Sequence, residues 1–387
     1  MAGLIIDSDE HRAIRDSVRG IAQRFGPQYF TEQSRNGGSI DELWTELGEA
    51  GLLGVHLPEQ YGGGGGGMAE AVVVVEELAA NGMPLLIWVI SPAICGSVLA
   101  AHGSEELKQT WLPSLADGSK KMAFGLTEPD AGSNSHQVST TARRDGDGWV
   151  ISGQKYYISA LDQSDALLLI SRDAEKSTPD KKALSIFVIP KDTPGLTYQE
   201  IPTAIVSTDK QFTVYLDDVR VGPEALVGEA GKGLRQVFSG LNPERILVGA
   251  LSGGIGRYAI EKASEYARQR QVWSTPIGAH QGLAHPLAEC HINVELSRLA
   301  TAHAAVLADE DSATVGEAAN IAKFAASEAA LKSLDQAIQT HGGNGLALEY
   351  GLAELWFVAR LMRTAPVSRE MVLNFIAQTS LDLPRSY

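Results

Sequence analysis

Apolar residues recur at helical spacing through the first third of the chain. Ile14, Val18 and Ile21 lie three or four positions apart, and Ser8 precedes them as a residue that can cap a helix. The predicted helices cover residues 8–25, 41–51 and 68–80. The pattern therefore predicts an N-terminal α-helical domain over residues 1–121.

From Phe124 onward the apolar period changes from 3.6 residues to two. Two alternating runs flank Asp145-Gly146-Asp147-Gly148, which is a strong signal for a β-hairpin. The predicted strands cover residues 139–144, 149–152, 166–170, 184–189, 196–201 and 212–216. Residues rich in Pro, Gly, Asp and Lys separate them, so the pattern predicts a middle antiparallel β domain over residues 122–228.

Helical spacing then returns and continues to the end of the chain. A short helix over residues 231–240 is predicted to stop at Leu241, because Asn242 is a good helix cap and Pro243 suits the first position of a new helix. The later helices are predicted over residues 243–270, 282–309, 315–340 and 368–378. They predict a C-terminal four-helix bundle over residues 229–387, so the fold class is mainly α with a central β domain.

Residues 82–103 form an apolar segment without Asp, Glu, Lys or Arg. The segment is about long enough to cross a bilayer. Pro92 and Gly96 interrupt it, however, and no loop biased towards Lys or Arg flanks it. A helix buried inside the N-terminal domain is therefore expected instead of a membrane span.

The charge, cysteine content and histidine spacing indicate which partners, location and ligands are expected for the chain. The chain has 387 residues and a formal net charge of -15, which argues against nucleic acid or an anionic membrane as its main partner. Cys95 and Cys290 form no disulfide framework, and no basic leader precedes the first helix, so a cytoplasmic location is expected. His280, His285 and His291 lack a metal-binding spacing, so no metal site is predicted.

The stretch after the first predicted strand carries the first candidate chemistry. Pro129 and Gly132 favour a tight turn, and Thr127 and Ser133 add two hydroxyls along its rim. Such a rim of fixed donors suits the edge of a planar heteroaromatic ligand such as a flavin. An ordinary polar hairpin loop would show the same residues.

The residues from Gly125 to Ser133, Gly-Leu-Thr-Glu-Pro-Asp-Ala-Gly-Ser, resemble the first signature of the acyl-CoA dehydrogenase family. Tyr157-Ile158-Ser159 stands where that family has Trp-Ile-Thr against the flavin. With the matches below, the resemblance covers nearly the whole chain and implies the fold, the FAD cofactor and the acyl-CoA substrate of that family. The flavin contacts that it implies here are Phe124, Leu126, Thr127, Gly132, Ser133, Tyr157, Ile158 and Ser159, and Ser133 would also touch the thioester.

Desaturation of an acyl thioester requires a base for the α-proton, opposite the acceptor of the β-hydride. In the commoner branch of the family, this base would fall at Pro366, which cannot take a proton. The isovaleryl and long-chain dehydrogenases instead carry it on the earlier bundle helix in a Leu-x-x-Glu-Arg context, which resembles Leu241 to Arg245. Glu244 is therefore the predicted base, and Leu241, Asn242 and Arg245 are predicted to line the acyl pocket. Alternatively, Glu244 only stabilises the helix dipole, by about 0.3 to 1 kcal/mol.

A further resemblance concerns the second half of the cofactor. Arg270 and Trp273, followed by Gln281, are similar to the family's Arg-x-x-Phe-Gly and Gln pair, which reach the FAD diphosphate and adenine of a neighbouring subunit. The planar guanidinium group of an arginine can bind two diphosphate oxygens. Alternatively, Arg270 only interacts with the negative end of the helix dipole. Gln339, Gly342 and Gly343 resemble the segment that approaches the same diphosphate, and Ser368 and Glu370 stand at flavin-contacting positions. The resemblance implies a homotetramer and reoxidation by an electron-transferring flavoprotein.

Pro366 also raises a difficulty for the predicted chemistry. The family uses the backbone N–H at this point to hold the thioester oxygen, and proline has none. Losing one such donor costs about 3 to 4 kcal/mol unless the Val367 N–H or the flavin ribityl hydroxyl compensates. Together with Tyr157 in place of Trp, this leaves open a flavin oxidase or oxygenase. A non-catalytic partner subunit is a third possibility, and the sequence does not predict the acyl chain.

Overall fold

The computed structural model describes residues 4–5, 7–178 and 183–385. Its first part is helical, and the Ser8 hydroxyl accepts a hydrogen bond from the His11 backbone N–H at 3.0 Å at the start of the first helix. This contact satisfies one of the donors that a helix start leaves free. The helices are α1 (Asp9–Phe25), α2 (Tyr29–Asn36), α3 (Asp41–Glu49), α4 (Met68–Ala80), α5 (Leu86–Trp88), α6 (Ser97–His102) and α7 (Glu105–Ala116).

The charge-free segment is buried, as predicted. A π-helix, Val89–Gly96, joins α5 to α6, and every one of its residues is buried. Pro92 lies inside it and cannot donate a backbone hydrogen bond, which fits the wider helical turn at this point. In the described part of the chain, no helix is both long and apolar enough to traverse a bilayer.

In the described residues, the middle of the chain forms one eight-stranded sheet. Its order is β6-β7-β3-β2-β4-β5-β8, with β1 beside β4. The strands are β1 (Met122–Gly125), β2 (Thr141–Asp145), β3 (Gly148–Ser159), β4 (Ala166–Asp173), β5 (Leu184–Pro190), β6 (Leu196–Ile201), β7 (Gln211–Val221) and β8 (Leu226–Val227). The sheet is mainly antiparallel, and the predicted hairpin pairs Asp145 with Gly148. β1 and β2 run parallel to β4, a pairing that the sequence did not predict.

Long helices follow the sheet and pack as a bundle, as predicted. α9, α10 and α11 lie against one another, and α9 also packs against α4. The elements are α8 (Gly233–Gln236), α9 (Phe238–Gln269), β9 (Gln271–Val272), β10 (Thr275–Pro276), α10 (Gln281–Asp309), α11 (Val315–His341), α12 (Trp356–Met362) and α13 (Arg369–Thr379). The changes of element type fall near the predicted domain limits, which remain predictions.

The predicted helix break at residues 241–243 is wrong. α9 already begins at Phe238 and runs through Pro243, so Asn242 is not a cap. Val237 keeps a helical conformation after α8, and its carbonyl accepts a hydrogen bond from the Leu241 N–H at 3.0 Å. The preceding turn therefore starts the helix, and Pro243 forgoes only one hydrogen bond in the second turn.

A buried cluster of charges ties the first helical part to the bundle. Glu76 on α4 accepts hydrogen bonds from Arg15 on α1, Arg257 on α9 and Arg298 on α10, at 2.8 to 3.0 Å. Burial would raise the pKa of Glu76, but these guanidinium groups lower it to about 2. Four elements that are distant in sequence are thus held at one point.

Candidate active site

A buried lysine holds the predicted flavin loop, residues 126–133, through hydrogen bonds. The ammonium of Lys155 on β3 donates hydrogen bonds to the Leu126 carbonyl at 3.0 Å and to the Glu128 carboxylate at 2.8 Å. Burial lowers the pKa of Lys155 to about 8, and the charge of Glu128 partly offsets this effect. The backbone N–H of Tyr156 also donates to the Thr127 carbonyl at 2.9 Å. Carbonyls of the loop are therefore turned towards the protein.

Glu128 completes this anchor, which we call the Lys155–Glu128 pair. Its carboxylate accepts hydrogen bonds from the Ser139 N–H and hydroxyl, both at 2.6 Å, and from the Thr140 N–H at 3.0 Å. Burial would raise the pKa of Glu128, but Lys155 and these donors lower it to about 2. The loop is consequently fixed on its inner side, while Gly132 and Ser133 on its outer side are exposed.

A β-bulge places the predicted aromatic contact beside this loop. The register between β3 and β7 shifts between Lys155 and Ile158, and Tyr157 within the shift has φ of 55°. The Tyr157 side chain is 53% exposed, whereas Ile158 is buried in the sheet and can offer a ligand only its backbone. The Ser159 hydroxyl donates to the Gln211 side-chain oxygen at 3.0 Å. Bulges of this kind re-aim side chains next to functional sites.

Glu244 lies in the second turn of α9 and is half-buried. Burial raises its pKa to about 7, while the positive charges of Arg245 and Lys323 oppose the rise. Burial raises the pKa of the Cys95 thiol on the π-helix, and the negative charge of Glu244 raises it further. A carboxyl of this kind can take up and release a proton near neutral pH.

One apolar cluster contacts both the start of α9 and the flavin loop. Cys95 is buried in this cluster together with residues of α6 and α7 and the inner face of the sheet. Leu241, one turn before Glu244, packs against the cluster, and so do Phe124 of β1 and Leu126 of the flavin loop. The helical turn before Glu244 and the flavin loop therefore contact the same core.

Arg245 is held on α9 by two local contacts. Its guanidinium donates to the Asn242 side-chain oxygen at 3.0 Å and lies over the Phe238 ring, 5.7 Å from the centroid. Burial lowers the pKa of Arg245, and the charge of Glu244 counters this. Asn242 therefore orients Arg245 instead of capping a helix. Both lie on the same helix as the candidate base.

A second group of predicted residues meets at a cavity between the ends of α9 and α11. The cavity measures about 390 Å3 and is lined by Arg270, Gln339, Gly342 and Gly343 among others. Gly342 has φ of 61°, and added Cβ atoms at Gly342 and Gly343 would meet open space. An arginine beside bare glycine backbone fits a diphosphate, because a charged fork and close backbone approach are both available.

Trp273 and Gln281 lie outside that cavity. Trp273 is 93% exposed at the turn between β9 and β10, with φ of 55°, and Gln281 is exposed at the start of α10. Behind this hairpin is a cavity of about 470 Å3 that the sequence did not indicate. Small and apolar residues line most of it: Ile260, Ser264, Ala267, Arg268, Pro276, Gly278, Ala279, Ala284, Leu287, Ala288 and His291. Neither cavity adjoins Glu244.

The segment before α13 holds the remaining predicted positions. The Ser368 hydroxyl caps α13 by accepting from the Met371 N–H at 3.3 Å, and Pro366 and Glu370 are exposed. The Val367 carbonyl accepts a hydrogen bond from the ammonium of Lys323 at 2.7 Å. Sequence reasoning missed both Lys155 and Lys323. A signal for Lys323 exists, because it lies in phase with buried Ala319 and Ala326 on α11.

The order of an α-helical part, a central sheet and a helical bundle, together with its likeness to solved structures, places the chain among FAD-dependent oxidoreductases. Family models for the N-terminal, middle and C-terminal domains of acyl-CoA dehydrogenases match residues 8–119, 123–219 and 231–381. The chain therefore belongs to the acyl-CoA dehydrogenase family, and it is an enzyme that dehydrogenates acyl-CoA with FAD.

Relatives of the chain match over almost its full length. It is 53% identical to the acyl-CoA dehydrogenase FadE12 of Mycobacterium tuberculosis, over 99% of this chain and 98% of the relative. Among solved structures, butyryl-CoA dehydrogenase from Megasphaera elsdenii has a TM-score of 0.90 and 26% identity, covering 97% of this chain and 99% of the other. Glutaryl-CoA dehydrogenase from Mycobacterium smegmatis in complex with FADH2 also has a TM-score of 0.90 and 26% identity, covering 98% and 97%.

Proposed function

We propose that Glu244 is the base that removes the α-proton of the acyl-CoA thioester. The observation that carries this proposal is the packing of Leu241, one turn before Glu244, on the same apolar cluster as Phe124 of β1 and Leu126 of the flavin loop. The carboxyl, whose pKa is raised to about 7, is suited to the transfer. This placement of the base on α9 is that of the isovaleryl and long-chain types.

The residues around the flavin loop are proposed to hold the cofactor. Thr127, Gly132 and Ser133 would present the outer rim of the loop to the isoalloxazine, with Tyr157 beside them on the bulge. When bound, FAD supplies the acceptor for the β-hydride, so that a Cα–Cβ double bond remains in the trans-2-enoyl-CoA product. Arg245 would keep its orientation through Asn242, on the α9 side of the acyl group.

The test is anaerobic bleaching of the bound flavin by a panel of acyl-CoA esters, from butyryl-CoA to palmitoyl-CoA, including branched isovaleryl-CoA. The chain lengths that bleach the flavin would define the acyl specificity, which the proposal leaves open. Failure of every ester to bleach a fully flavin-loaded protein would contradict the proposal.

A flavin oxidase or oxygenase is the second candidate, favoured by Pro366 at the position of the usual thioester donor. Exposure of the reduced protein to oxygen separates the two functions. Rapid reoxidation without an electron carrier would favour the second. A non-catalytic partner subunit would instead yield a colourless protein that does not retain flavin when purified alone.

The proposed partners are a second copy of the chain and an electron-transferring flavoprotein. The outer face of α10 exposes Ile292, Leu296 and Leu299 at helical spacing, as an apolar surface for another copy. In a homotetramer, the cavity at Arg270, together with Trp273 and Gln281, would receive the FAD of a neighbouring chain. A reducing, cytoplasmic setting is proposed because both cysteines are free and buried.

The bleaching rate is predicted to rise with pH and to reach half its maximum near pH 7. Only the ionised carboxylate of Glu244 can accept the α-proton, and the pKa raised to about 7 leaves it protonated in acid. The measurement is stopped-flow bleaching at saturating acyl-CoA over mildly acid to mildly alkaline pH. A flat profile through this range would exclude Glu244 as the titrating base.

A further inference from the structure

Lys323 is a buried, charged residue that has no role in the deprotonation as proposed above. It lies in the middle of α11, where the neighbouring inward positions are the buried alanines Ala319, Ala322 and Ala326. The lysine is 1% exposed, so its ammonium is removed from water. Burying an ammonium costs several kcal/mol unless the site compensates it. An alanine at this position would satisfy the helix packing, so the lysine requires another explanation.

The ammonium of Lys323 is directed at the segment that joins α12 to α13. It donates a hydrogen bond to the Val367 carbonyl at 2.7 Å, which is a neutral acceptor and not a carboxylate. Glu328, the acidic residue nearest to it along α11, binds Arg363 at 2.6 Å and Arg369 at 2.9 Å. Glu328 therefore acts on Lys323 through its charge, while its own ion pairs are made with the two arginines.

The charges that face Lys323 come from three other positions. Glu244 and Arg245 act on it from α9, which packs along α11, and Glu370 acts from α13. Burial lowers the pKa of Lys323 to about 8, while Glu328, Glu244 and Glu370 raise it and Arg245 lowers it further. Around Glu244, the facing groups are Arg245, Lys323 and the Cys95 thiol.

We propose that Lys323 is a positioning residue of the deprotonation site, which fixes the Val367 segment and compensates the negative charge that this site carries. The inference rests on the proposed role of Glu244. Before the transfer, the negative charge is on the Glu244 carboxylate. When the α-proton moves to that carboxylate, the electron pair of the C–H bond leaves the negative charge on the thioester. The net charge near Lys323 is unchanged, so a single fixed cation serves both states.

This role also bears on Pro366. A backbone N–H at position 366 would have been one donor to the thioester oxygen, and proline removes it. The ammonium of Lys323 is held at the carbonyl of the adjacent residue, Val367, so its positive charge would supply part of the stabilisation that proline removes. Electrostatic stabilisation by a fixed charge in a water-poor site does not require direct contact.

The test compares Lys323→Met and Lys323→Arg with the wild type in anaerobic bleaching by the most reactive ester of the panel. In Lys323→Met, the pH of half-maximal rate is expected to rise by about one unit, because the Glu244 carboxylate loses a neighbouring cation. The limiting rate at high pH is expected to change much less, because the cation acts on the negative charge before and after the transfer. Lys323→Arg keeps the charge and is expected to retain the wild-type pH midpoint. Lys332→Met is the matched control, since Lys332 is exposed on α11 and pairs with Glu289 at the surface.

An unchanged midpoint in a flavin-loaded Lys323→Met protein would overturn the proposal. If that variant does not fold or bind flavin, Lys323→Arg is the deciding variant. A raised pH of half-maximal rate in Lys323→Arg, which retains the charge, would overturn the proposal. A wild-type pH of half-maximal rate would support it. Failure of the proposed function is recognised separately, because the wild type would then not bleach, or Glu244→Gln would bleach as fast as the wild type.

Discussion

Glu244→Gln is expected to slow flavin bleaching by acyl-CoA about 10²- to 10⁴-fold, the usual loss on removing a general base. The amide keeps the size of the carboxyl but cannot accept the α-proton, so FAD should bind normally while the C–H bond is not broken. The measurement is single-turnover bleaching by the most reactive ester. Glu261→Gln, at an exposed position further along α9, is the control and should bleach at the wild-type rate.

The same substitution should change the pH dependence of stability in a defined direction. The pKa of Glu244 is raised to about 7 from its ordinary value of 4.5, so the folded state binds this proton more tightly than the unfolded state. The stabilisation from the protonated form is complete below pH 4.5 and is lost as pH rises to about 7. Glu244→Gln should therefore gain thermal stability relative to the wild type above neutral pH. If the difference in melting temperature between Glu244→Gln and the wild type were the same at acid and alkaline pH, the raised pKa of Glu244 would be contradicted.

Lys155→Met is expected to destabilise the protein by about 3 to 5 kcal/mol and to release FAD. The substitution leaves the Glu128 carboxylate buried without its cation, which is the costly way to break a buried pair. It also removes the donor to the Leu126 carbonyl, so the flavin loop loses its inner support. Urea unfolding of the apoprotein and titration with FAD measure the two effects separately.

Two further variants sharpen this prediction. Lys210→Met removes an exposed lysine of the same region, 3.3 Å from Glu200, and should cost no more than about 1 kcal/mol. The double variant Lys155→Met with Glu128→Gln should recover part of the stability, because no unpaired charge remains buried. If Lys155→Met unfolds at the wild-type urea concentration and retains FAD, the Lys155–Glu128 pair does not anchor the loop.

Local patterns predicted the elements more accurately than their connections. The alternation around Asp145 to Gly148 located the β2–β3 hairpin, because a hairpin depends on adjacent residues. The parallel pairing of β1 with β4 joins Met122 to Ala166, across a stretch that contains two other strands. The alternation of apolar and polar residues indicates which side of a strand is buried, but it does not indicate which strand lies beside it in the sheet. This is why the sheet order could not be predicted.

The sequence predicted the motif residues of the candidate site, but it did not predict the buried residues that hold them in place. Signature residues such as Thr127 and Glu244 could be located through family resemblance, since they stand in recognisable contexts. Lys155 and Lys323 stand in no such context, and a lysine is usually a surface residue. Only packing distinguishes them from the exposed lysines of the chain. The helix through Pro243 was missed for a related reason, because a preceding turn overrode a strong local stop signal.

The shared anchorage of Glu76 has a consequence for how the chain is made. Of its three arginine partners, Arg15 precedes it, whereas Arg257 and Arg298 follow it by 181 and 222 residues. A growing polypeptide can therefore pair this carboxylate only with Arg15 until most of the molecule has left the ribosome. The contact between α1 and α4 is therefore completed only late in synthesis, although N-terminal regions commonly fold first. A nascent chain arrested before α10 should accordingly be sensitive to proteases in α1 and α4, and one released after α10 should resist them.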